Sequence, residues 1–172
     1  MRQKDALKPQ DIVLIAKLML LRGEDWRQVD VANALLLPQG EVAKSLARLK
    51  KSGLVTDKRV NISGALEFLS HGLKYVFPAE LGALAVGIPT AMSAPFFGTD
   101  LLQGEGDHYV WPSLLGKTRG QIVVPFYPQM PEAVFKDKSL YELMASVEVL
   151  RIGRARERKI ALEKIEKAVS VK

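Results

Sequence analysis

Seven of the nine prolines in this 172-residue chain fall between Leu73 and Pro131. A proline inside a helix removes a backbone hydrogen bond and clashes with the preceding turn, so this stretch cannot form a long helix. Val76–Phe77–Pro78, Gly87–Ile88–Pro89 and Ala94–Pro95–Phe96–Phe97 are all cut too short to run as helices. Seven of the thirteen glycines lie in the same interval, and only Gln121 to Val124, just ahead of Pro125, reads as a strand. Aliphatic and aromatic residues persist throughout, which is not the composition of a disordered segment. The expectation is an extended, irregular apolar segment wrapped on a surface, its own or a partner's.

The flanking sequence is helical. From Pro9 to about Arg22, Ile12, Ile15, Ala16, Met19 and Leu20 recur at helical spacing, and Gly23 supplies the stop. A second helix is predicted from near Asp25, where Asp25-x-x-Gln28 has the form of a capping box, and Val31, Ala32 and Leu35 point inward. After a break at Leu36–Leu37–Pro38, a third helix runs to Ser52 with Val42, Ala43, Leu46 and Leu49 as its apolar face. Leu54–Val55, a turn at Asp57–Lys58, and Val60 and Ile62 then form a short hairpin. Asn61 or Ser63 caps a fourth helix through His71, closed by Gly72. In the tail, Ser139-x-x-Glu142 repeats the capping pattern ahead of Leu140, Leu143, Val147 and Leu150, and Gly153 interrupts the run before Ala161, Ile165 and Ala168.

The predicted fold class is therefore mostly α with a small β hairpin. Residues 1–62 are expected to form one helical unit with the hairpin, and residues 63–130 a linking helix and the irregular segment. Residues 131–172 are expected to form a helical tail that serves as a dimer or partner interface.

Charge is divided along the same lines. Residues 1–60 carry net +5, residues 61–130 net −2 and residues 131–172 net +3, which suits a polyanion contact at the ends. With no cysteine, thiolate zinc sites, disulfides and cysteine nucleophiles are excluded, and two histidines are too few for a multi-histidine metal site. The early apolar run from Ile12 to Leu21 is broken by Lys17, and neither a membrane span nor a signal peptide is expected. A soluble, cytoplasmic protein without a cofactor is the resulting expectation.

Three short helices and a tight hairpin have a mechanical use: the second helix braces the third, which enters the DNA major groove. The stretch from Trp26 to Val55, WRQVDVANALLLPQGEVAKSLARLKKSGLV, resembles the MarR-type and related bacterial winged helix-turn-helix regulators. The likeness lies in Asp30–Val31–Ala32 with Leu35, in Val42, Leu46 and Arg48–Leu49, and in the closing Ser52–Gly53–Leu54–Val55. It implies a dimeric transcriptional regulator that uses residues 38–52 as recognition helix on double-stranded DNA. By position, Gln39, Glu41, Lys44, Ser45 and Arg48 face the groove, with Arg48 or Lys44 suited to guanine and Gln39 to adenine. Lys51, Lys58 and Arg59 are expected on phosphate. Leu36 stands where such turns often have glycine, which points to a looser turn, and the wing is short.

A second resemblance, through HGLKYVFPAELG and GIPTA, is to winged-helix proteins paired with nucleotidyltransferase-like toxins of abortive-infection systems. It implies an antitoxin that binds a cognate toxin protein. A third possibility places a ligand pocket among Phe77, Phe96, Phe97, Tyr109 and Trp111. An enzyme is not expected. Gly116–Lys117–Thr118 lacks the earlier glycine of a phosphate loop, since Trp111 stands there. Asp107–His108 near Glu105 reads as a surface loop, and His71 as a helix-terminal cation. The basic run Arg151, Arg154, Arg156, Arg158 and Lys159 reads as a solvated helix face.

Overall fold

Nearly every side chain of the first helix is apolar, and much of the fold follows from covering it. In the computed structural model, which describes residues 6–101 and 108–170, α1 spans Pro9–Leu20. Asp11 accepts the Lys8 N–H at 2.8 Å, and Ile12 to Ala16, Leu18 and Met19 are all buried. A helix apolar on all sides needs neighbours all round. Those neighbours are α2 (Gln28–Leu35) and α3 (Gln39–Lys51) from the same end of the chain, and α7 (Lys138–Ile152) and α8 (Ala155–Ser170) from the other.

The expected capping box at Asp25 does not form. The second helix begins at Gln28, and the Asp25 carboxylate instead accepts the Lys58 ammonium at 2.9 Å. At the other end Leu36 takes the left-handed conformation, with φ 53° and ψ 38°, so the turn closes as tightly as glycine would allow. The Leu37 N–H reaches back to the Ala32 carbonyl at 3.0 Å. Gly53, at φ 77°, stops α3 and turns the chain into β1 (Val55–Thr56) and β2 (Arg59–Val60). These pair antiparallel, Val55 opposite Val60, around Asp57–Lys58.

The Asn61 side chain accepts the Gly64 N–H and starts α4 (Ile62–Glu67). The single helix expected through His71 is divided. It widens into a π-helical turn at Phe68–Gly72 and resumes as α5 (Leu73–Val76), ending just before Pro78.

The stretch expected to be irregular contains three strands: β3 (Leu81–Pro89), β4 (Tyr109–Pro112) and β5 (Thr118–Val123). The third strand runs antiparallel to the other two, which pair parallel to each other at Tyr109–Val110. Prolines and strands coexist because Pro89 and Pro112 end their strands and Pro125 follows the last, where a missing N–H costs least. Gly87 faces both Pro112 and Thr118 at this corner, where a Cβ would stand 2.1 Å from the Trp111 carbonyl oxygen. Gly82 and Ala83 form a bulge opposite Ile122. Glu105 and Asp107 lie outside the described residues.

After α6 (Met130–Phe135), α7 is capped by Asp137, which accepts the Leu140 N–H at 3.1 Å, not by the predicted Ser139 box. Leu143, Val147 and Leu150, expected as a stripe for core or dimer, are buried within the chain's own core. That core is continuous from α1 to α8. Long-range bonds cross it: Tyr127 Oη to the Leu35 carbonyl at 2.7 Å, and an Arg158 guanidinium N–H to the Ser70 carbonyl at 2.7 Å. Trp111 and Phe97 are fully buried and Phe96 packs edge-on against Tyr141, so these three belong to the core, while Phe77 lines a separate surface pocket of about 270 Å³ with Pro78 and Phe126. Among the described residues no helix is long and apolar enough to cross a membrane.

Candidate nucleic-acid interface

The third helix is amphipathic in an unusual way, because its buried side holds a charge. Val42, Leu46 and Leu49 face the core, and Ser45 and Arg48 lie buried on the adjoining flank. The Arg48 guanidinium grips Asp11 of α1 with two bonds of 2.7 Å and donates a third to the Ser45 hydroxyl at 2.9 Å. Arg48 is 6% exposed and Asp11 0%. The expectation that Arg48 and Ser45 read bases is therefore corrected: both are turned onto α1, and neither is free to enter a groove. Asp11 pulls the Arg48 pKa further upward, so the guanidinium stays charged.

Among the predicted contacts, Gln39, Lys44 and Lys51 are exposed on the outer face of α3. Glu41 is half-buried and accepts bonds from Lys44 Nζ at 3.1 Å and Gln10 Nε2 at 3.4 Å. The Lys44 ammonium holds its carboxyl below the ordinary range, and this pairing fixes it beside the outer face. On the hairpin, Lys58 and Arg59 are both exposed. Lys58 reaches Asp25 and lies 5.8 Å above the Trp26 ring.

Three outward residues were not foreseen as part of the site. Ala43, expected to face the core, is exposed, as are Ala47 and Lys50. The helical period carries the signal for Ala47 alone. With Val42, Leu46 and Leu49 at the centre of the buried stripe, 100° per residue places Gly40, Lys44, Ala47 and Lys51 opposite, and Arg48 nearly as far round as Ala47, so the period gives no sign that Arg48 is buried. Ala43, Leu46, Ala47 and Lys50 form one wall of a groove of about 480 Å³. The Trp26–Gln28 segment and Asp57–Lys58 complete it.

Electrostatics along this groove are mixed. Arg27 pairs with Asp30 at 2.8 Å, Lys44 with Glu41 and Lys58 with Asp25. Lys50 and Arg59 make no ion pair among the described residues and project their charge outward. The small side chains at Gly40, Ala43 and Ala47 let another surface come close to the helix backbone, with cations at the edge. Among the described residues no group of three or more histidine, aspartate or glutamate side chains is placed to hold a metal ion. Comparison with protein-family models, with curated proteins and with solved structures finds no significant match.

Proposed function

We propose that this chain binds double-stranded DNA as a transcriptional regulator, with α1 to α3 and the β1–β2 hairpin acting as a winged helix-turn-helix. The observation that carries the reading is the outer face of α3. It runs uncovered from Gln39 to Lys51, while the opposite face is locked to α1 through Arg48 and packed on α2. A helix held on one side and bare on the other fits a major groove about 12 Å wide.

The contact set differs from the one expected by resemblance. Gln39 and Lys44 are the candidates for base edges, with Ala43 and Ala47 close enough for apolar contact with a thymine methyl. Lys50, Lys51, Lys58 and Arg59 serve phosphate. Arg48 acts from behind, by setting the helix against α1.

Fluorescence anisotropy with a labelled fragment of the chain's own promoter, titrated at several salt concentrations, tests this. Log affinity should fall linearly with log salt, and Lys50→Ala should reduce the slope by about 1 and weaken random and promoter DNA alike. Lys44→Ala should weaken promoter DNA by about 1–3 kcal/mol and random DNA by less. Absence of binding at low salt overturns the proposal.

A further inference from the structure

Over most of its length, one edge of the β3 strand pairs with no strand among the described residues. One side pairs with β5 from Leu81 to Gly87, and the other meets β4 only over Gly87 to Pro89. The three strands close on one another through the β4–β5 pairing, but from Leu81 to Val86 that second side of β3 pairs with no strand among the described residues. Leu81, Leu84 and Val86 are 47%, 63% and 52% exposed, and the stretch Leu81–Ile88 contains neither a charged residue nor a proline. Strand edges left open in this way attract further strands unless lysine or proline protects them.

The charges just beyond the strand say what kind of strand fits. Glu80 stands exposed just before its start, and exposed Lys117, just ahead of β5, and Arg119 on β5 flank its far end, with Arg119 opposite Val86. None of the three makes an ion pair among the described residues. The acid is at one end and the bases are at the other. An antiparallel copy of the same strand reverses that order, setting Glu80 of each molecule beside the Arg119 end of the other. Strands lie about 4.8 Å apart, so these charges meet across one intervening strand, and twofold symmetry makes the contact twice. The strand itself carries no charge, so two chains of net charge +6 can meet along it without setting like-charged strand residues face to face.

We propose that two copies of this chain associate through their β3 edges, antiparallel across Leu81–Val86, to form one continuous sheet with the order β5–β3–β3–β5 at its centre. The inference rests on the strand edge and its charges and does not depend on DNA binding.

Sedimentation velocity of the full chain without DNA tests it, from low to about 100 µM, a range that covers weak association. The parent should be a dimer at the upper end, and Leu84→Lys should raise the dissociation constant by about tenfold or more, because symmetry brings the two lysines together. Glu80→Arg and Arg119→Glu should each weaken association by about fivefold, and the double variant should regain most of the loss. All these residues are exposed, so circular dichroism and melting should match the parent. A parent that stays monomeric overturns the proposal, including one that pairs only with a different protein. So does a dimer indifferent to Leu84→Lys, or a charge reversal that the second reversal does not restore.

Discussion

Arg48 and Asp11 are each costly to keep without the other. Both are almost wholly removed from water, so Arg48→Met should destabilise the chain by about 3–5 kcal/mol by leaving the Asp11 carboxylate buried and unpaired. Asp11→Asn added to Arg48→Met should recover more than half of that loss, since asparagine still offers the Lys8 N–H an acceptor without a charge. Urea unfolding of the parent and the two variants would show it, and a loss below about 1 kcal/mol for the single variant would mean that the pair does not hold α3. Asp137 has a different balance. Burial pushes its pKa up, but the Lys17 ammonium at 2.7 Å and the Leu140 and Ser139 N–H groups outweigh burial and hold it below 3.8. A carboxyl with a depressed folded-state pKa contributes stability in full above its unfolded value, and loses it as pH falls through the lower folded value. Between pH 5 and pH 2 the parent's melting temperature should therefore fall more than that of Asp137→Asn, with the two converging at the acid end. Parallel curves would show that Asp137 contributes nothing through its charge.

At the scale of elements, the helices, the short hairpin and part of β5 were legible from the sequence, and β3 and β4 were not. Helical period and glycine stops place α1, α3 and α7 within a few residues because those signals are local. The β3 strand gives no alternating signal: in Leu-Gly-Ala-Leu-Ala-Val-Gly-Ile-Pro both faces are small or apolar, and the bulge at Gly82–Ala83 shifts the phase. The prolines exclude long helices here but not strands, and they mark where strands end. The candidate site was half legible for a related reason. Composition identifies α3 as charged, but whether Arg48 faces solvent depends on Asp11, which is 37 residues away in sequence. Leu36 gives a direct check on the turn before α3. A branched side chain held at φ 53° is strained by about 1–2 kcal/mol, and Leu36 is partly exposed, so Leu36→Gly should raise stability by about 1 kcal/mol. Chemical denaturation would measure it, and a loss of stability would show that the Leu36 side chain contributes more by packing than its backbone costs.

Over the whole molecule, the segments that look separable in sequence share one interior. Lys17 of α1 bonds Asp137 at the head of α7, and Tyr127 reaches Leu35 at the end of α2. A fragment of residues 1–62 should accordingly lack a cooperative melting transition, because α1 loses the cover that α7 and α8 provide. Leu143→Asp with Val147→Asp should unfold the entire chain, the N-terminal helices included, since both side chains lie in the common core. Calorimetry on the fragment and circular dichroism on the variant are the measurements, and a folded 1–62 fragment would count against the shared interior. The placement of α1 between the chain's beginning and its end also has a consequence in time. During synthesis, at about 5–20 residues per second, the first helix emerges long before α7 and α8 exist to cover it. Its apolar sides must wait for that cover, so the first third of the nascent chain cannot bury its core until α7 and α8 have been made.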